Sequence, residues 1–197
     1  MSTEHTFVNG IDLRVVQETV KAMQQDPEMG QCVFRARNRW IDANHNKTTI
    51  ESFYGAKQEN PHKQAFELHA DEPPMLAGRD EAPNPVEHLL NALTTCLTSS
   101  IVAHAAVRGI DIEELESEVE GDIDLRGFFG MSQEVPKGYT DIRITFHAKS
   151  DADTDKLKEL AEFSPVYNTL MSGVNVDLRV EGPSGTAARP DGEIPAP

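Results

Sequence analysis

The chain has 197 residues and a formal net charge of −15, with 38% hydrophobic residues and two cysteines. That length fits one ordinary domain with short terminal additions and buries a substantial core. The acidic balance excludes the basic, counterion-releasing surface that nucleic acid binding needs, and it disfavours anionic membranes. Two cysteines are too few for a disulfide scaffold, so both are expected to be reduced.

No unbroken apolar run reaches the roughly 18 to 20 residues of a bilayer span. The first residues, Met1-Ser-Thr-Glu-His-Thr-Phe7, lack the basic and then apolar regions of a signal peptide. A cytoplasmic location is the expectation.

In chain order, Asn9-Gly10 precedes a stretch from Ile11 to Gln25 in which Leu13, Val16, Val20 and Met23 recur at spacings of three and four. This is an amphipathic helix, ended by Asp26-Pro27. From Cys32 the period becomes two: Cys32, Phe34, Ala36 and Trp40 share one face, with Arg35, Arg37 and Arg39 on the other. The pattern predicts a strand with one buried face. Asn44-His-Asn46 reads as a turn, Thr48–Tyr54 as a second strand, Lys57–Pro61 as a loop and Ala65–Ala70 as a third strand. Short connections predict an antiparallel meander.

Residues 71–84 form a loop rich in proline and acid, and it leads into the one long apolar helix, Pro85 to Gly109, with Asn84 as its cap. Apolar almost all round, this helix is expected to be buried against other elements or against another chain. Cys96 stands in its middle, either as inert filler or as a protected nucleophile. His88 and His104 flank the cysteine side about 24 Å apart along the axis, so they cannot both serve one thiol.

Leu115–Leu125 then reads as a strand with an irregularity near Gly121, and Arg126 to Gly138 as a loop. Tyr139–Ala148 is a strand with Ile142, Ile144 and Phe146 inward. Asp151–Phe163 is a helix capped by Asp151 or Asp153, interrupted at Ser164-Pro165 and resumed over Val166–Met171, and Val174–Val180 is a last strand. Residues 182–197, rich in Gly, Pro, Ala and Ser, are expected to be a disordered tail. The order of elements is α+β rather than doubly wound.

Several segments together resemble the OsmC/Ohr superfamily: His69-Ala-Asp-Glu-Pro73, Leu76-Ala-Gly78, Asn84-Pro-Val-Glu87, the leucine-rich helix holding Cys96, Arg108-Gly109, Gly121-Asp-Ile-Asp124, Arg126-Gly127, Ser164-Pro165 and Asn168-Thr-Leu170. The resemblance covers about residues 30 to 181. It implies a helical extension over 1–30, an OsmC-like domain over 31–181, and antiparallel sheets packed on two central helices in an intertwined homodimer.

It also implies a thiol peroxidase that reduces organic hydroperoxides, with Cys96 as the attacking residue. The reductant would be an external thiol, a lipoyl protein in the Ohr branch, and no cofactor or metal is required. Two positions depart from the pattern. The resolving cysteine is replaced by Ser164, and the carboxylate after the proline is replaced by Val86, with Glu87 one place later and about 100° around the helix.

The activating arginine is best matched by Arg39, with Arg35, Arg37 and Arg126 as alternatives. An alternative function is a non-catalytic module that binds a small apolar ligand or senses redox state. His62, His69 and Asp71 lie on or near one strand, but no further ligand cluster completes a metal site there.

Overall fold

The computed structural model describes residues 7–182. Asn9 and Gly10, both with positive φ, close a small hairpin of Phe7–Val8 (β1) and Ile11–Asp12 (β2). The Asp12 carboxylate accepts the Arg14 N–H and so caps Leu13–Gln25 (α1), which begins two residues later than its apolar spacing predicts. The Asn9 side chain donates to the Ile110 carbonyl and accepts from the Ile112 N–H, which fastens this extension to the segment that follows the long helix.

The N-terminal sheet contains Val33–Phe34 (β3), Arg37–Asp42 (β4), His45–Gly55 (β5) and Gln58–Ala70 (β6), all antiparallel. Strand β5 pairs with β3 and β4 on one edge and with β6 on the other. The loop expected over Lys57–Pro61 is instead a two-residue turn at Ala56 and Lys57, both left-handed (φ 50° and 62°), after which β6 runs straight on. Pro61 is tolerated inside β6 because the ladder shifts register between Ile50 and Ser52, beside the residue that Pro61 opposes. The expected buried face of the first strand is also corrected. Phe34 and Trp40 are 76% and 67% exposed, because nothing among the described residues covers that side of the sheet.

Asp71, itself 1% exposed, organises the loop that follows. Its carboxylate accepts the N–H groups of Glu72, Arg79 and Glu81. Burial works against its ionisation, but those three donors outweigh it and hold the carboxyl below the usual range. The loop closes so tightly that Gly78 is needed: a Cβ there would fall 1.7 Å from the Glu72 carbonyl oxygen.

The long helix is Pro85–Ala106 (α2), begun as expected by Asn84 and strengthened by a reciprocal bond from Glu87. By length and composition it could cross a bilayer, even though its apolar run is broken by polar residues. It packs on Ile112–Ile123 (β7), Thr154–Ala161 (α4) and Pro165–Ser172 (α5). Strand β7 pairs with Tyr139–Ser150 (β8), and a short helix, Leu125–Phe128 (α3), lies between them. Ile142, Ile144 and Phe146 turn toward α2 as predicted.

The core lies here: Leu93, Leu97, Ile101, Ala105 and Ala106 of α2 meet Leu157 and Leu160 of α4. Asp153 caps α4. The strand predicted over Val174–Val180 is not formed among the described residues. The segment is irregular and its apolar side chains are open, from 69% at Val174 to 90% at Val180. Except for Gly182, the predicted tail lies outside the described residues.

Candidate functional site

Cys96 is a free, half-buried thiol midway along α2. Around the helix it lies about 60° from Leu93 and about 40° from Ser100. Both of these neighbours are buried against the chain's own core. The thiol therefore sits beside the buried seam, with one flank covered and the other open.

Each residue singled out from the sequence has a definite place. Glu87 is engaged in the helix cap, accepting the Asn84 N–H at 2.8 Å while its own N–H donates to the Asn84 side chain at 2.8 Å. Nine residues before Cys96, it faces the opposite side of α2 and lies about 13 Å away along the axis. Ser164 is fully buried and caps α5 through its hydroxyl, which accepts the Tyr167 N–H at 3.2 Å, while its carbonyl receives two bonds from Asn168.

Of the arginines, Arg35 forms a two-pronged pair with Glu59, Arg37 lies 3.8 Å from Glu51, and Arg126 is held by Asp124. Arg39, on β4 opposite Lys47, has no carboxylate at ion-pair distance among the described residues. Its sheet does not pack on the Cys96 face of α2 within one chain, so the single chain does not assemble Cys96, Arg39, Glu87 and Ser164 into one cluster.

On the first half of α2 the chain builds an apolar groove of about 410 Å³ between α2, β8 and α5, lined by Leu89, Leu93, Tyr139, Ile142, Tyr167 and Met171; Leu93 is its last α2 residue, one turn before Cys96, which does not line it. Tyr139 fixes one wall. Its hydroxyl donates to the Val86 carbonyl at 3.1 Å, and its ring occupies the space left by Gly121, where a Cβ would stand 2.6 Å from Cε1. Thus the irregularity read at Gly121 is the seat of an anchor for the start of α2. Burial, with the Glu87 charge as a lesser cause, pushes the Tyr139 hydroxyl pKa up, so it stays protonated and able to donate.

Toward the other end of α2, His104 stacks on Phe163 with ring centroids 4.0 Å apart, and the Arg108 guanidinium lies over the same ring. Burial, then the Arg108 charge, lowers the His104 pKa and favours its neutral form. His88 and His104 are each eight residues from Cys96, about 12 Å along the axis. Cys32, the other thiol, lies just before β3 with its sulfur beside Gly55, and it is exposed.

The Tyr139 anchor and the cap made by Glu87 were not assigned from the sequence as parts of the site. Asn84 followed three residues later by an acid was the available signal for the second. Nothing local in the sequence signals the first, because it depends on the β7–β8 register.

A family model described as OsmC-like protein matches residues 78–179, just over half of the chain and the whole of α2. Among solved structures, an osmotic stress induced and detoxification response protein of Psychrobacter arcticus is 17% identical with a TM-score of 0.53, covering 71% of this chain and 89% of that one. An OsmC like protein from Mycoplasma pneumoniae is 16% identical with the same TM-score, covering 72% and 89%. At these identities the likeness is one of fold. No curated protein sequence matches the chain significantly. The α+β arrangement around α2, together with the match over residues 78–179, establishes that the chain belongs to the OsmC-like family.

Proposed function

We propose that this protein is a thiol-dependent reductase of organic hydroperoxides that works with a single reactive cysteine, Cys96. The observation that carries this reading is a free, half-buried thiol midway along the matched helix, one helical turn beyond Leu93, where an apolar groove ends on α2. Family membership supports a redox or stress-response role. In the first step the Cys96 thiolate attacks the distal peroxide oxygen, the O–O bond breaks, and the alkoxide takes a proton and leaves as an alcohol. Cys96 is left as a sulfenic acid. With Ser164 capping α5, no second sulfur stands at the resolving position, so an external dithiol, such as a lipoyl group, must reduce it. One dithiol sulfur displaces water to form a mixed disulfide, and the other closes the dithiol's own disulfide and frees Cys96.

The active form in this proposal is a homodimer in the cytoplasm. Its support is the apolar surface that one chain leaves uncovered: Phe34, Trp40, Phe66 and Leu68 on the N-terminal sheet, and the alternating Val174, Val176, Leu178 and Val180 beyond α5. The two-stranded β7–β8 sheet has open edges to which such a segment can add. A partner's sheet laid on the open flank of α2 would bring Arg39 toward Cys96, where a guanidinium favours the thiolate.

The kinetic test is reduction of cumene hydroperoxide with a dithiol as reductant. Wild type forms the alcohol catalytically and Cys96→Ser does so only at the background rate. Equal turnover by the two overturns the proposal. A second reading, non-catalytic binding of a small apolar molecule, is favoured by the same groove. Native mass spectra that show a retained ligand, together with no sulfenic acid at Cys96 after peroxide, would select it.

A further inference from the structure

Away from Cys96, two histidines come together at the end of the N-terminal sheet. His69 of β6 stands opposite Lys47 of β5, and His45 lies two residues earlier on β5, so the two rings are diagonal neighbours on one face. Nε2 of His45 and Nδ1 of His69 are 2.9 Å apart, with ring centroids at 5.1 Å. We propose that this pair is a chelating site for a divalent transition metal ion of the copper(II) or nickel(II) class.

The geometry argues for that class. Imidazole nitrogens bind such ions at about 2.0 to 2.1 Å, so two nitrogens 2.9 Å apart subtend about 90° at the metal. That is the angle between neighbouring ligands of a tetragonal centre, whereas a tetrahedral zinc would spread them to about 3.3 Å. In the metal-free pair one ring donates its N–H to the other. On binding, the donor ring shifts that proton to its other nitrogen and both rings turn by about 45°, so that lone pairs aimed at each other in the hydrogen bond meet at the ion with no net change in charge.

Both histidines are held from behind. The His69 carbonyl is bonded to His88 Nε2 of α2 at 2.9 Å. His45 follows a turn in which Ala43 is left-handed and the Asn44 side chain donates to the Leu76 carbonyl. These bonds fix the backbone that carries the two rings, while the rings themselves are held by their mutual hydrogen bond.

The surrounding charge favours a cation. Asp42 lies opposite His45 and Glu67 lies two residues before His69, and Asp71 is close by. The two cations there, Arg79 and Lys47, are already paired with Asp42 at 2.6 Å and with Glu67 at 2.7 Å. Among the described residues no third His, Cys, Asp or Glu completes a closed cage, so water fills the other positions and the site is an open one.

The test is calorimetric titration of the full chain with Ni²⁺ alone at neutral pH. The wild type should take up one ion per chain. His45→Gln and His69→Gln should each weaken it by about tenfold or more, and His62→Gln, on the same strand as His69, should leave it unchanged. Because a variant could alter the sheet, paramagnetic broadening by Ni²⁺ in the wild type is read as well, and it should fall first on the His45 and His69 rings. Absence of saturable uptake, equal uptake by His45→Gln, or broadening centred on other histidines would show a hydrogen-bonded pair only and overturn the proposal.

Discussion

The two halves of the chain treat their apolar residues in opposite ways. From α2 onward, Leu93, Leu97, Ile101, Leu157 and Leu160 are enclosed by one another, and the α4 and α5 caps are satisfied. In the N-terminal sheet Ala70 is the buried apolar residue, while Phe34, Trp40, Phe66 and Leu68 face outward. A two-sided sheet with one apolar face normally covers it. The contrast teaches that the second half carries its own core, whereas the first half leaves an apolar face uncovered among the described residues, which the proposed dimer would cover.

Truncating the enclosed half should have the largest effect on stability. Ile101→Ala leaves a cavity beneath β7 and α4 and should cost about 2 to 5 kcal/mol in denaturant unfolding. A loss below about 1 kcal/mol would mean that this core collapses around the missing side chain and is not tightly enclosed. Next is Gly121→Ala, which pushes the Tyr139 ring off its seat and should cost about 1 to 3 kcal/mol, with a lowered melting temperature. Asn84→Ala removes the cap of α2 and should cost about 1 kcal/mol.

The open half should respond differently. Phe66→Ser should change the stability of an isolated chain little, because the ring is half exposed, but it should shift the dimer toward monomer in sedimentation velocity. An unchanged dimer would remove this face from the interface.

The smallest expected effect is electrostatic. His104 has a lowered pKa in the folded chain, so the unfolded chain binds a proton first as pH falls through the ordinary histidine range near 6.5. Stability contributed by neutral His104 is therefore present above that range and is lost as pH drops toward its folded value. His104→Gln should flatten this part of the stability profile, and an unchanged slope would assign it to another group.

Much of the enclosed half was legible in the sequence. The α2 start at Asn84-Pro85, the inward Ile142, Ile144 and Phe146, and the break at Ser164-Pro165 are all local signals, and each has its partner within the same chain. The misreadings cluster where the partner is distant or absent. Ala56-Lys57 turns left-handed without a glycine or asparagine to announce it, and Pro61 hides inside a strand because the irregularity over residues 62–65 of its own strand follows it. Alternation in Cys32–Trp40 and in Val174–Val180 marks an apolar face, but among the described residues nothing covers it, so neither is the buried strand its period predicts. The same limit applies to the site. Cys96 was found from its helix, whereas the Tyr139 anchor and the His45–His69 contact depend on strand register.

The central claim is that Cys96 is the thiol that meets peroxide. It is tested most directly by adding one equivalent of cumene hydroperoxide to the reduced protein, trapping sulfenic acid with dimedone and mapping the label by peptide mass spectrometry. The account predicts one alcohol released per chain, with the label on Cys96 and none on the exposed Cys32. Label on Cys32 alone, or unreacted peroxide with an intact Cys96 thiol, would contradict it.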